Sequence, residues 1–296
     1  MYIKSPLNYT GGKYKLLDKI IPAFSMENRC FVDLFTGGMN VGINVSADTI
    51  YANDHIDYLI EMYDYFQKTP TSEIIAAIKE KIEYYSLDQQ NAEGYNKLRN
   101  DYNQKKNPLM LFVLTCYAFN HQIRFNNSFK FNTSFGKDRS SYNDSIENNL
   151  INFSTALKDK NIILSSSDFR EFDFDKVGKE GVVYCDPPYL ITTGSYNDGK
   201  RGFGDWTTED DLDLLALLDH LNDNGIFFAL SNVFYHKGNT NEELIKWSEK
   251  YNVTYLDKKY SNCSYHFKDR DTKTVEVLVT NYTWKEVNWH QMTLEI

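Results

Sequence analysis

The chain has 296 residues, 42% apolar and 25% charged, with a formal net charge of −9. That composition fits a globular protein with a sizeable core and excludes a disordered or low-complexity chain. The acidic balance argues against non-specific nucleic-acid binding over the whole surface, so a polyanionic partner would have to meet a local basic face. The four cysteines, Cys30, Cys116, Cys185 and Cys263, lie far apart without CxxC or Cys/His spacing. They read as reduced core thiols, with no metal site. The opening MYIKSPLNYTGGK has no apolar signal core, and the longest apolar run, 108–119, is too short to span a bilayer. No membrane association is expected, and the cytoplasm is the expected location.

The first stretch with chemical character is NYTGGKYKLL, 8–17. Gly11, Gly12 and Lys13 precede a helix start and suit a carboxylate or phosphate at a helix N-terminus. The P-loop pattern GxxxxGK[ST] is missing. From Cys30 to Asp57 the order reads strand (CFVDLF), glycine turn, helix, strand (TIYAND). This is a βαβ unit with parallel strands and a right-handed crossover. Gly37 and Gly38 stand where strand turns into helix, so backbone can approach a ligand closely. The dinucleotide fingerprint GxGxxG is absent. Asp54 ends the next strand, roughly twenty residues on, where such folds bind ribose hydroxyls. An N-cap aspartate would explain it equally.

From about 58 to 157 the pattern is mostly helical. Thr71–Tyr85 carries an Ile74, Ile75, Ile78, Ile82 stripe, and Leu109–Phe119 reads as a buried helix. Between Lys97 and Arg139 eight basic residues (Lys97, Arg99, Lys105, Lys106, Arg124, Lys130, Lys137, Arg139) face only two acids, Asp101 and Asp138. That is the local basic face a phosphate backbone would require. The 258–273 region is a second, weaker candidate. Strands return after Asn161: NIILSS, GVVYCD, GIFFALSN, NVTYLD and TVEVLVTNY. A helix over 207–221 separates the second from the third, its acidic start TTEDD suiting the positive helix N-terminus. The organisation is thus an α/β sheet domain, 1–57 plus 158–296, interrupted by a helical insert, 58–157. Inserts of that size at a strand end commonly carry recognition or a lid.

Two further strand ends carry polar chemistry. SSSDFREF, 165–172, places Asp168 and Phe169 where an acid and a ring could pair with and cover a purine. VVYCDPPYL, 182–190, runs from a buried strand into Asp186, Pro187, Pro188 and Tyr189. The prolines fix φ near −65° and carry no N–H. A carboxylate, a rigid carbonyl and an aromatic face therefore meet at one point. That set suits a planar group bearing an NH2. The bland reading is a strand followed by a Pro-Pro turn.

The GGK arm, the glycine turn, the insert and DPPY, in that order, resemble the DNA adenine methyltransferases of the Dam family. FNHQIRFNNSFKFNTSFG, 119–136, adds to the likeness as the family's DNA-recognition region. The resemblance covers nearly the whole chain. It implies a Rossmann-like methyltransferase sheet, S-adenosyl-L-methionine as cofactor and double-stranded DNA as substrate. Tyr9, Gly11, Gly12 and Lys13 match the arm of the cofactor pocket, and Phe35 and Gly37 its glycine turn. Asp54 matches the ribose acid, Asp168 and Phe169 the pair at the cofactor's adenine. Asp186, Pro187, Pro188 and Tyr189 match the catalytic tetrapeptide, Asp186 also meeting the cofactor. Tyr189 is expected to stack on the target base, which must be flipped from the duplex. Arg124, Asn126, Lys130, Asn132, Lys137 and Arg139 are the expected DNA contacts, with Phe125, Phe131 and Phe135 as candidate stacking rings. Among these, Arg124 and Lys137 read as phosphate contacts, and Asn126 and Arg139 as base-sensing. Cytosine amino methylation and a non-catalytic DNA-binding subunit with the same fold are the alternatives. A cognate restriction endonuclease is an open partner, and the DNA sequence recognised is not implied.

Overall fold

The structure, a computed structural model, describes residues 2–24, 30–179, 181–192, 206–256 and 274–284. Cys263 and the 258–273 basic region lie outside the described residues. An arm containing the short helix α1 (Leu17–Ile20) leads into β1 (Cys30–Asp33) and β2 (Thr49–Asn53). Five helices follow: α2 (Asp57–Lys68), α3 (Thr71–Tyr84), α4 (Ala92–Gln104), α5 (Pro108–Tyr117) and α6 (Asp144–Asp159). The chain then returns through β3 (Ile162–Ser165), β4 (Val182–Cys185), α7 (Thr208–Asp223), β5 (Phe227–His236), β6 (Asn239–Thr240), α8 (Glu242–Ser248), β7 (Asn252–Tyr255) and β8 (Thr274–Thr280).

Among the described residues the strands form one sheet in the order β3-β2-β1-β4-β5-β8-β7, with the short β6 paired to β5. The pairs from β3 through to β5 are parallel. Strand β8 enters antiparallel between β5 and β7. The order reverses between β1 and β4, and open α/β sheets bind ligands at the carboxyl ends of strands at such a point.

Side chains alternate across the sheet with period two. Phe31, Val182 and Tyr184 join the core formed with α2–α6. Val32, Val183 and Cys185 point the other way, into the core under α7 and α8. Helix α5 is apolar on all sides and buried along nearly its whole length. Pro108 opens it, and Asn107 caps it by accepting from the Met110 N–H at 3.0 Å. Helices α2, α3 and α4 all pack on α5, and α2 and α6 pack on each other. The helical segment therefore shares one continuous core with its face of the sheet.

The crossover from β1 to β2 departs from the expected βαβ unit. It holds only a 3₁₀ turn, Gly42–Asn44. The stretch is committed elsewhere. A Cβ at Gly42 would meet Asp33 Oδ2 at 2.7 Å. Asn44 Oδ1 accepts from the Ile3 N–H at 2.7 Å and Asn40 Oδ1 from the Ser5 N–H at 3.1 Å. These residues dock the N-terminal arm instead of continuing a helix. No helix among the described residues is long and apolar enough to cross a membrane.

Candidate active site

The carboxyl ends of β1, β2, β3 and β4 meet the N-terminal arm around a cavity of about 320 Å³. Lys13 opens a four-residue 3₁₀ helix. Its side chain is only 4% exposed, and Nζ lies 2.8 Å from Asp186 Oδ1. The same ammonium donates to the Gly11 carbonyl at 2.9 Å and stands 4.9 Å from the centre of the Tyr189 ring. It is thus turned onto the end of β4, and the Gly11–Gly12 turn does not present it to an outside anion. Tyr189 donates its hydroxyl to Asp186 Oδ1 at 2.9 Å. The ring expected to cover a base therefore also holds the carboxylate.

Both contacts fall on one oxygen. No hydrogen bond among the described residues engages Asp186 Oδ2 or the Pro187 carbonyl. Burial raises the Asp186 carboxyl above its ordinary value, while Lys13 and the Tyr189 hydroxyl pull it back. Burial alone would lower Lys13, but Asp186 outweighs it, with Tyr184 and Glu276 adding to the effect, and Lys13 stays protonated. The pair is an ammonium–carboxylate pair whose second oxygen is left to accept.

Gly37 has φ +46°, and a Cβ there would lie 2.9 Å from the Tyr9 ring. Only glycine fits that close approach. Its N–H donates to Asp54 Oδ2 at 2.7 Å, and its carbonyl accepts from the Tyr63 hydroxyl. Asp54 Oδ1 accepts from the Ile56 N–H at 2.9 Å. Ile56, not Asp54, is the N-cap residue of α2, so Asp54 shapes the glycine turn and does not cap the helix. Asp168 caps the short 3₁₀ helix Phe169–Glu171. Phe169 is buried and its ring centre lies 5.4 Å from that of Phe35.

Three groups in this wall escape the sequence reading. Trp206 packs 5.6 Å from both Phe35 and Phe169, closing an aromatic triangle on the cavity. The available signal was a large ring just ahead of an acidic helix start, WTTEDD. Arg170 pairs with Asp168, Asp210 and Asp213. Asp33 is buried with Oδ1 unpartnered.

The expected DNA contacts lie on the 118–139 loop after α5, which folds back on itself through the bridges Ala118↔Phe135 and Phe125↔Phe131. Arg124, Lys130, Asn132, Lys137 and Arg139 are exposed. Phe125 and Phe131 are not available to bases, being 4% and 1% exposed. They anchor the loop on Tyr102, with ring centres 6.4 and 6.2 Å from it. Phe135 is half-buried against Tyr95. The rings that reach the surface here are Phe119 and Phe129. Asn126 Oδ1 accepts from the Ser128 and Lys130 N–H groups at 3.0 and 3.1 Å. Its oxygen is spent on the turn and not left for a base. Arg139 lies 4.9 Å over the Phe119 ring.

This arrangement meets a family model for D12 class N6 adenine-specific DNA methyltransferases that matches residues 9–262. The chain belongs to that family. It is 50% identical over 282 residues to the type II methyltransferase M.FokI of Planomicrobium okeanokoites, which covers 95% of this chain and 43% of that protein. It is 48% identical over 289 residues to the modification methylase StsI of Streptococcus sanguinis, covering 97% and 44%. A DNA adenine methylase of Escherichia coli (strain K12) is 27% identical over 230 residues, 76% of this chain and 79% of that one. The chain thus spans less than half the length of the two more similar relatives.

Proposed function

We propose that this chain transfers a methyl group from S-adenosyl-L-methionine to the exocyclic amine of an adenine flipped out of double-stranded DNA. The observation that carries the proposal is the half-engaged Asp186: Oδ1 held by Lys13 and Tyr189, Oδ2 and the Pro187 carbonyl without partners among the described residues. An amino group conjugated to a purine is a weak nucleophile because its lone pair is delocalised. Two fixed acceptors on its two N–H bonds favour the pyramidal nitrogen and stabilise the charge that develops there. Asp186 Oδ2 then takes the proton that the nitrogen sheds.

The cavity fits such a donor. Phe35, Phe169 and Trp206 offer aromatic walls for an adenine, Asp54 offers a buried carboxylate at a strand end for a ribose, and Gly37 with Tyr9 forms a close backbone cradle. When bound, S-adenosyl-L-methionine supplies an electrophilic methyl on a sulfonium. Tyr9, Gly11, Gly12, Lys13, Phe35, Gly37, Asp54, Asp168, Phe169 and Asp186 are the proposed cofactor residues. The helical segment, 58–157, is the proposed DNA-facing unit, with Arg124, Lys130, Asn132, Lys137 and Arg139 toward the duplex. The names of M.FokI and StsI as type II and modification enzymes support a cognate restriction endonuclease in the same system.

The test is transfer of labelled methyl to duplex DNA, with modified bases then mapped by sequencing. Asp186→Ala removes one acceptor and should lower turnover at least a hundredfold, about 3 kcal/mol or more, with DNA binding retained. Turnover within about tenfold of the unaltered chain would rule out this active site.

A further inference from the structure

Arg170 stands at the rim of the cavity with three carboxylates around it. Its Nη1 lies 3.1 Å from each oxygen of Asp168, and its Nε 2.7 Å from Asp213 Oδ2. Its Nη2 pairs with Asp210. Asp168 Oδ1 also accepts from the Arg170 N–H at 2.9 Å. The guanidinium lies 4.4 Å over the Phe169 ring. Asp210 is itself fixed, since it forms the capping box of α7 with Thr207. The planar fork thus ties the end of β3 to the start of α7 in one geometry. A lysine, with a single point of charge, could not span all three carboxylates.

The arrangement has a consequence for what the cavity can read. Asp168 lines the cavity and, when ionised, is an acceptor with no donor of its own. Without Arg170, three acidic groups would crowd one rim and repel. Asp168 would then turn to solvent, where it is already 34% exposed. We propose that Arg170 is a positioning residue that aims the Asp168 carboxylate into the cavity, making the pocket selective for a purine carrying a 6-amino group over one carrying a 6-oxo group. Adenine offers that carboxylate an N–H. Hypoxanthine offers an oxygen at that position, which leaves the carboxylate facing another acceptor. This rests on the reading of the cavity as the cofactor site.

Calorimetry with two probes tests it: S-adenosyl-L-homocysteine and S-inosyl-L-homocysteine, which differ at the 6-position and at N1, an acceptor in the first and an N–H in the second. The unaltered chain should prefer the adenosyl compound by roughly tenfold to a hundredfold, as for one hydrogen bond to a charged group. Arg170→Met should lose most of that preference by weakening the adenosyl compound alone, leaving inosyl affinity within about threefold. Arg170→Lys should fall between. The ratio separates positioning from structural damage. If Arg170→Met weakens both probes equally, or changes neither, the proposal is overturned. If the unaltered chain binds the adenosyl compound but does not discriminate, the proposal fails while the cofactor reading stands. If it binds neither, both fall.

Discussion

Asp33 ends β1 with its carboxyl 1% exposed, one oxygen accepting from the Gly42 N–H at 2.9 Å and the other without a partner. Burial raises this acid to about 7, with Asp186 and Asp54 adding to the shift and the Gly42 bond opposing it. The folded chain therefore holds this proton more tightly than the unfolded one does. The resulting stabilisation is fully present below the ordinary value of 3.8 and is lost as pH rises to about 7. The gap of about three units corresponds to an upper bound on the order of 4 kcal/mol. Asparagine keeps an oxygen for Gly42 and has no such proton. Urea unfolding at pH 5 and pH 8 should show the unaltered chain losing stability relative to Asp33→Asn across that interval. A constant separation between the two would mean that Asp33 does not titrate there. The same physics acts on two buried thiols, since burial pushes Cys116 up to about 12 and Cys185 well up.

The 118–139 loop shows how an element outside regular secondary structure can be held. Phe125 and Phe131 meet edge to face, ring centres 5.6 Å apart, beneath it. The Asn103 side chain acts as a stand-in strand, its amide donating to the Phe131 carbonyl at 3.0 Å and its oxygen accepting from the Phe131 N–H at 2.8 Å. Lys106 donates to the Phe129 carbonyl at 2.9 Å. Phe131→Ala should cost about 3–5 kcal/mol in stability through the cavity it leaves. It should also weaken DNA binding on cognate and scrambled duplexes alike, because it displaces the cations the loop carries. Thermal melts with binding titrations read both, and full DNA affinity in a destabilised variant would show that the loop's placement does not matter. Periodicity could not reveal this element. A run such as RFNNSFKF alternates polar and aromatic residues whether its rings face a base or a core, and only the helices beneath decide which.

At the scale of the whole molecule, the parallel sheet was legible because each buried strand is a short apolar run ending in polar chemistry, as in CFVD or VVYCD. The β1–β2 crossover was not, because Asn40 and Asn44 answer to Ser5 and Ile3 in the distant arm and Gly42 to the Asp33 side chain, contacts that no local pattern displays. The rim around Arg170 was invisible for the same reason: Asp210 and Asp213 lie about forty residues away in sequence. The proposed function requires a chain of net charge −9 to approach a polyanion. Its cations on the 118–139 loop are exposed, as is Lys106, which is bound to the turn and whose pKa is lowered by burial and by Lys130. The loop cations are the positions proposed to meet the duplex. Arg124→Ala and Lys137→Ala should each weaken binding about equally on cognate and scrambled duplexes and reduce the salt slope by about one. Arg139→Ala should instead relax choice at one base pair, by about 1–3 kcal/mol. Asn126→Ala should unsettle the turn, because its oxygen already serves two backbone N–H groups. Titrations at several salt concentrations separate these behaviours. If Arg124, Lys137 and Arg139 can all be replaced with binding, slope and site choice unchanged, the duplex approaches another face.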